Sequence, residues 1–573
     1  MIKENLENLI KQSLKEVAQK EQWIIPDDFD ISLIIPAKKK YGDYSSTIPL
    51  TLSKLIKQAP LDLAQILLTQ IENKKFDAIQ KIEIVSPGYL NFFLNHNAFS
   101  QELPNLKNIV YSLKTKHPKP VIIEYSSPNI AKPMHIGHLR STIIGETLAK
   151  LYETLDYRVI RWNYLGDWGT QFGKLIVAYK LWGNKQEIQK NPIDTLLKLY
   201  QRFHQEVKQK PELEKLAQLE FKKLENGNKT NKKIWLWFKN ESLKDFLRIY
   251  KLLGIKFDIL KGESDFEPDL LPLIEELKQK NLIQESQGAL IIPLDKFNLP
   301  PALIQKADKA SLYFTRDLAN LIYRLKKYQP EKILYVVGNE QALYFEQLFS
   351  TAKILNLASQ TQLAHIKFGL ILDTNNKKFS TREGELITLE EVINLALKNA
   401  LTIIKEKHPQ WPIPKQKHLA QIIALGALKF NDLKSFRTQN IVFDWKQMLS
   451  FKGNSSVYLQ YTYARINKIN SKAKGIFSYD ANLLTKELEI DIIKYLLEFT
   501  AVIKKSALDY APHLLANYLL SLADLLNNYY ETVPVLKESD PKRRAAQLLL
   551  LNSAGSVLKT GMEILGLTVL KEI

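Results

Sequence analysis

The chain has 573 residues, 45% hydrophobic and 25% charged, with 21 Gly and 24 Pro. That is a folded globular composition, not a disordered or collagen-like one, and at roughly 100–200 residues per domain it allows about three to five domains. Cysteine is absent, which excludes disulfides, thiolate nucleophiles, iron–sulfur clusters and Cys-ligated zinc, while a net charge of +19 favours a polyanionic partner, nucleic acid ahead of an anionic membrane.

The first twenty residues place Leu6, Ile10, Leu14 and Val17 on one helical face. They hold no secretory apolar core, and no apolar run in the chain approaches the roughly 20 residues of a membrane span, so a soluble cytoplasmic protein is expected. The pattern then mixes helices and short strands up to KIEIVSPGYLNFFL, where Pro87-Gly88 reads as a turn between two strands. Residues 95–120 are polar, carry three prolines and read as a linker. Together, 1–118 form an N-terminal α+β domain with its linker.

From VIIEY (121–125) the pattern alternates. That strand is followed by the loop SSPNIAKPMHIGH, the helix GHLRSTIIGETLAKLYETL and the strand YRVIRWNYL, a βαβ unit. A second set comprises KILYVVG, a helix around EQALYFEQLFSTAKIL, the strand HIKFGLIL and the helix TLEEVINLALKNALTII. The alternation predicts an α/β Rossmann-like domain with a parallel sheet over 119–400, its ligand site at the carboxyl ends of the strands. A Lys-rich, helix-biased insertion occupies about 185–300, with NGNKTNKK (226–233) as an exposed loop. Past HPQWPIP (408–414) strand patterns give way to amphipathic helices, so 401–573 is expected to be a C-terminal all-α helical bundle. Neither an internal repeat nor a dimerisation heptad stands out, and a monomer is expected.

The chemistry concentrates in the loop after VIIEY. His135 and His138, three apart at a helix start, share a face; Gly137 lets a flat ring approach the backbone; and the helix N-terminus offers free N–H groups to phosphate. A bare His-x-x-His is more often an ordinary βα loop. The longer string PNIAKPMHIGH, made of Pro128, Asn129, Ile130, Ala131, Lys132, Pro133, Met134, His135, Ile136, Gly137 and His138, resembles the His-Ile-Gly-His signature of class I aminoacyl-tRNA synthetases in its arginyl form. NYLGDWGTQFG (163–173), KGES (261–264), LYFTRDLA (312–319), YVVGNEQALYFEQLF (335–349) and FDWKQMLSFKGN (443–454) agree with that family in order.

The resemblance implies ATP-dependent ligation of L-arginine to its tRNA through arginyl-adenylate, with Mg²⁺ accompanying ATP. His135, His138 and Lys132 would stabilise the phosphate transition state, with Gly137 in the ATP site. The family's second ATP loop, usually Lys-Met-Ser-Lys-Ser, corresponds to NNKKFSTREGE (375–385). Lys378, Ser380 and Arg382 would contact phosphate there, while Thr381 stands in a lysine position for which Lys132 compensates. A guanidinium stays charged and presents a rigid donor fork, so its site needs carboxylates. By resemblance Glu124 and Asp317 face it, Tyr313 lines the pocket, Asn129 and Gln341 hold the α-amino and backbone end, and Glu263 is a further candidate. Tyr344 departs from the histidine of many relatives.

The helical C-terminal region corresponds to the family's anticodon-binding domain, where Tyr458, Tyr461, Arg465 and Lys468 recur at helical spacing. The N-terminal domain, with YGDYSSTIPL (41–50), resembles the one that touches the tRNA elbow. No metal motif of the His-Glu-x-x-His or EF-hand kind occurs, so no dedicated metal site is expected. Two rivals stand beside this reading: a class I synthetase for another amino acid, which the Glu124/Asp317 pair disfavours, and a silent tRNA-binding paralogue, which the intact motifs disfavour.

Overall fold

A computed structural model describes the chain apart from residues 1, 27–28, 32, 37, 107–108, 110–112, 114–116, 307–312, 374–376, 378–386, 474–477 and 572–573. The helix Ile2–Lys20 buries Leu6, Ile10, Leu14 and Val17, as their spacing requires, and packs on the helix Pro60–Glu72. Beside them lies a three-stranded antiparallel sheet whose hairpin, Ile79–Val85 with Tyr89–Leu94, turns at Pro87-Gly88.

The stretch read as a linker is packed instead. It forms the helices His96–Ser100 and Leu103–Leu106, and Phe99, Leu103 and Leu106 are fully buried, with both helices resting on helices of the C-terminal region. Spacings of four and three put those side chains on one face, but the stripe is too short to stand out among polar neighbours.

The central sheet has five strands, all parallel, in the order Gln362–His365, Lys332–Tyr335, Val121–Glu124, Val159–Leu165 and Ile259–Gly262. The middle strand is buried along its whole length, as expected where helices cover both faces. The chain builds outward from it in one direction and then returns to its other side with Lys332–Tyr335. The order therefore reverses between those two strands, and loops leaving their carboxyl ends diverge to open a crevice.

Three readings of this region change. The strand HIKFGLIL is broken: Gln362–His365 stays in the central sheet, while Ile371–Leu372 pairs in parallel with Ile441–Val442. Strand structure thus persists briefly beyond Lys415. Gly369 permits the junction, since a Cβ there would lie 2.7 Å from the Gln439 carbonyl oxygen. The insertion at about 185–300 is interrupted by Ile259–Gly262, a half-exposed edge strand of the central sheet. Four helices precede that strand, the last being Lys229–Leu253, and a small antiparallel sheet of 284–286, 289–292 and 302–305 follows it. Finally, NGNKTNKK is a helix start. Asn228 accepts hydrogen bonds from the N–H groups of Thr230 and Asn231, both at 3.1 Å, and Asn231 is buried, its amide donating to Glu220.

The C-terminal region is all-helical from Ser456–Lys472 to Pro541–Ile564. It meets the N-terminal domain through Lys3–Glu498 at 3.2 Å and Lys39 with Glu487 and Asp491 at 2.5 and 2.7 Å. Among the described residues, no helix is long and apolar enough to cross a membrane.

Candidate active site

The loop leaving Glu124 is under tension. Ser126, Ser127 and Ala131 have φ of 71°, 46° and 60°, conformations that cost side-chain-bearing residues on the order of 1–3 kcal/mol each and persist only where neighbours enforce them. The enforcement is visible. Ser126 N–H donates to Ser141 Oγ at 2.9 Å, Ser127 N–H to Asn163 Oδ1 at 3.2 Å, and Ala131 N–H to Ser242 Oγ at 2.9 Å. Asn129 is exposed and packs its amide oxygen so close to Gly166 that a Cβ there would lie 1.9 Å away.

The helix Ile136–Thr154 starts at His135, which caps it: Nδ1 of His135 accepts from Gly137 N–H at 3.1 Å, and Nδ1 of His138 accepts from His135 N–H at 3.0 Å. A Cβ on Gly137 would lie 2.9 Å from the His135 ring. With Nδ1 of each ring an acceptor, the neutral tautomer carries its proton at Nε2. Burial lowers the His135 pKa, and burial followed by the neighbouring His135 pushes His138 down to about 3. Both rings are therefore neutral N–H donors near pH 7, with centroids 3.9 Å apart and planes tilted by 48°. They face a cavity of about 430 Å³ at the strand-order reversal, whose wall also includes Ser126, Gly137, Gly338, Gln341 and Gly369. Lys132 is exposed and does not line this cavity; its Nζ lies 5.5 Å from the Tyr200 ring on the helix Pro192–Val207. Lys378, Ser380, Thr381 and Arg382 lie outside the described residues.

The acidic candidates converge from three elements. Glu124, at the end of the middle strand, is buried and paired with the fully buried Arg324, which stacks 4.3 Å from the Trp162 ring. Asp317 sits one turn into the helix Tyr313–Tyr328 and accepts a hydrogen bond from the Tyr344 hydroxyl. Burial, reinforced by Glu124, pushes Asp317 up to about 7 in spite of that bond. Glu263 follows the edge strand; burial and then Asp317 push it up to about 9, and its Oε2 is buried without a hydrogen-bond partner. Its turn is fixed by Asp167, which accepts from Ser264 N–H at 2.9 Å and Ser264 Oγ at 2.7 Å and pairs with Lys239 at 2.5 Å. Burial and then the charges of Asp317, Glu263 and Glu124 hold the Tyr164 phenol protonated. Tyr313 is half-exposed at the rim. Among the described residues neither Glu263 nor Asp317 has an ion-pair partner, so burial favours their neutral forms and a cation placed between them would favour their charged forms.

The sequence does not point to Arg324, and it marks Tyr344 only as a departure from the histidine of many relatives. Arg324 lies 200 positions from its partner, so no local pattern signals the pair. The departure at Tyr344 was itself the signal: a phenol supplies the donor that Asp317 uses.

Comparison with known proteins bears on this arrangement. A family model described as "tRNA synthetases class I (R), catalytic domain" matches residues 102–445, one described as "Arginyl tRNA synthetase N terminal domain" matches 4–94, and a "DALR anticodon binding domain" matches 459–573. The arginine–tRNA ligase of Clostridium botulinum strain Alaska E43 is 40% identical over 556 residues, covering 95% of this chain and 97% of the relative. That of Halothermothrix orenii is 39% identical, covering 99% and 98%. The chain belongs to the arginyl-tRNA synthetase family. The solved arginyl-tRNA synthetases of Thermus thermophilus and Plasmodium falciparum share its fold, each with a TM-score of 0.82 at 24% identity; they span 100% of this chain and 100% and 99% of their own.

Like other arginyl-tRNA synthetases, the chain has a helical region after its catalytic region, and there a second cavity of about 850 Å³ is lined by Trp411, Tyr461, Arg465, Lys468, Tyr530 and Lys571 among others. The Arg465 guanidinium lies 4.5 Å from the Tyr461 ring and 4.7 Å from the Tyr530 ring. Tyr458 is not in this groove: its hydroxyl donates to Asp524 at 2.7 Å.

Proposed function

We propose that this arginine–tRNA ligase divides its work between the two halves of the site: the cavity at His135 and His138 takes ATP, and the pocket of Glu263 and Asp317 takes the guanidinium of L-arginine. The arginine carboxylate oxygen attacks the α-phosphorus of ATP, a new P–O bond forms, and the bond to pyrophosphate breaks. The terminal ribose hydroxyl of tRNA then attacks the carbonyl carbon of arginyl-adenylate and releases AMP. The protein positions the reactants and stabilises charge, with no covalent enzyme intermediate.

His135 and His138 donate Nε2–H groups to phosphate oxygens, and the helix N-terminus adds its dipole. Lys132 supplies a mobile positive charge, with Lys378, Ser380 and Arg382 contributing from the second loop. Asn129 and Gln341 orient the amino-acid end. Among the described residues, Glu340 is the one carboxylate in the cavity wall, which fits a Mg²⁺ that arrives on the nucleotide and is held mainly by phosphate oxygens and water; when bound it would neutralise phosphate charge. Tyr461 and Arg465, with Lys468 and Tyr530, offer stacking faces and charge to unpaired anticodon bases. The reading includes a cytoplasmic monomer acting on arginine-accepting tRNA.

The observation that carries the substrate assignment is the buried, unpartnered Oε2 of Glu263 beside Asp317. Pyrophosphate exchange across the amino acids, with and without tRNA, tests it. Exchange with arginine alone, stimulated by cognate tRNA, is expected. Exchange with a neutral amino acid would contradict the pocket, and tight tRNA binding without any exchange would mark a silent paralogue.

A further inference from the structure

Two residues past His138, on the same helix, Arg140 is completely buried. Its guanidinium Nε donates to Asp432 at 3.0 Å; Nη2 donates to Asp432 at 3.2 Å and to the Arg437 carbonyl at 3.1 Å; Nη1 donates to the carbonyls of Leu370 at 3.3 Å and Gln439 at 3.0 Å. Asp432 is at the end of the helix Ile413–Leu433. Leu370 is in the wall of the cavity and precedes the strand Ile371–Leu372, which leads into the second ATP loop. The surrounding backbone closes the same seam: Gly369 N–H donates to the Arg437 carbonyl at 3.0 Å, Leu370 N–H to Asn440 Oδ1 at 2.8 Å, and Ile441 N–H to the Leu370 carbonyl at 3.0 Å.

One guanidinium therefore joins the histidine helix, the wall that leads to the second ATP loop, and the helical region. A buried ion pair is weak evidence for stability, because apolar side chains often fill such a space as well. What a rigid fork of donors does better is fix several segments relative to one another. We propose that Arg140 is a positioning residue that holds the histidine helix and the cavity wall at Gly369 and Leu370 at the separation ATP requires, with Asp432 and residues 437–441 as its anchor. The proposal rests on reading the cavity as the ATP site.

The test is steady-state pyrophosphate exchange by the full-length enzyme with cognate tRNA. Asp432→Asn keeps the side-chain size but removes the charge that organises the fork, and it is expected to raise the ATP KM by about three- to thirtyfold while the arginine KM stays within about twofold. Asn440→Ala, at an exposed position, removes one strap of the same seam and is expected to shift the ATP KM in the same direction by a smaller factor; it decides alone if Asp432→Asn does not fold. An unchanged ATP KM with only a uniform fall in kcat, the mark of less folded enzyme, would overturn the proposal. His135→Ala separates the two readings: lost ATP use there with unaltered ATP KM in the seam variants removes only the positioning role, whereas normal ATP use in His135→Ala removes the ATP site itself.

Discussion

The half of the site proposed for the nucleotide is nearly contiguous: His135, Gly137 and His138 satisfy one another's backbone groups at 3.0–3.1 Å. The amino-acid half gathers Glu124, Glu263 and Asp317 from a strand end, a turn and a helix, and among the described residues leaves Glu263 and Asp317 without an ion-pair partner. The difference follows from what each substrate brings. ATP carries its own negative charge, so the proposed nucleotide half supplies oriented donors and a helix dipole; arginine carries a cation, so the proposed amino-acid half supplies buried carboxyl groups that burial keeps largely protonated until the cation binds.

Variants can break this contrast. The largest effect is expected from Asp317→Asn, which removes one of the two buried carboxylates proposed to face the guanidinium: arginine kcat/KM should fall by about a thousandfold with the ATP KM unchanged. A near-normal arginine KM would sink the pocket assignment. His138→Ala should do the reverse, lowering kcat for adenylate formation by about a hundredfold with little change in the arginine KM, as for loss of one transition-state donor; rapid-quench measurement of adenylate separates that step. Tyr344→Phe sharpens the picture more gently. It removes a hydrogen bond to a charged group, so the arginine KM should rise about tenfold, and a shift in the ATP KM instead would place Tyr344 with the nucleotide.

The two halves also differed in how far they could be read from residues alone. The nucleotide loop is one string in which each residue's role follows from its neighbours, and the strand before it and helix after it have clean periodicity. The acidic half was legible only through family blocks, because the partners that define it are remote: Arg324 meets Glu124 across the sheet, and Asp167 fixes the Glu263 turn from another loop. The same physics explains the fold-level misses. Ile259–Gly262 is short and half-exposed at a sheet edge, the helices at 96–106 carry only one or two buried residues per turn, and the seam at 369–372 exists only because a glycine lets two segments approach.

The smallest expected effect is also the most direct test of the claim that the pocket's carboxyl groups ionise when arginine binds. Asp317 is pushed up to about 7 and Glu263 to about 9, whereas the guanidinium of arginine stays protonated throughout that range. Below these values the empty pocket holds protons that a bound cation must expel, so arginine affinity should rise with pH between about 6 and 9. Calorimetric titration of arginine into the tRNA-bound enzyme near pH 7, in buffers of different ionisation enthalpy, should show release of between about half a proton and one and a half protons per arginine bound. Binding with no proton release and no dependence on pH would mean that the carboxylates are already ionised, and would contradict the account.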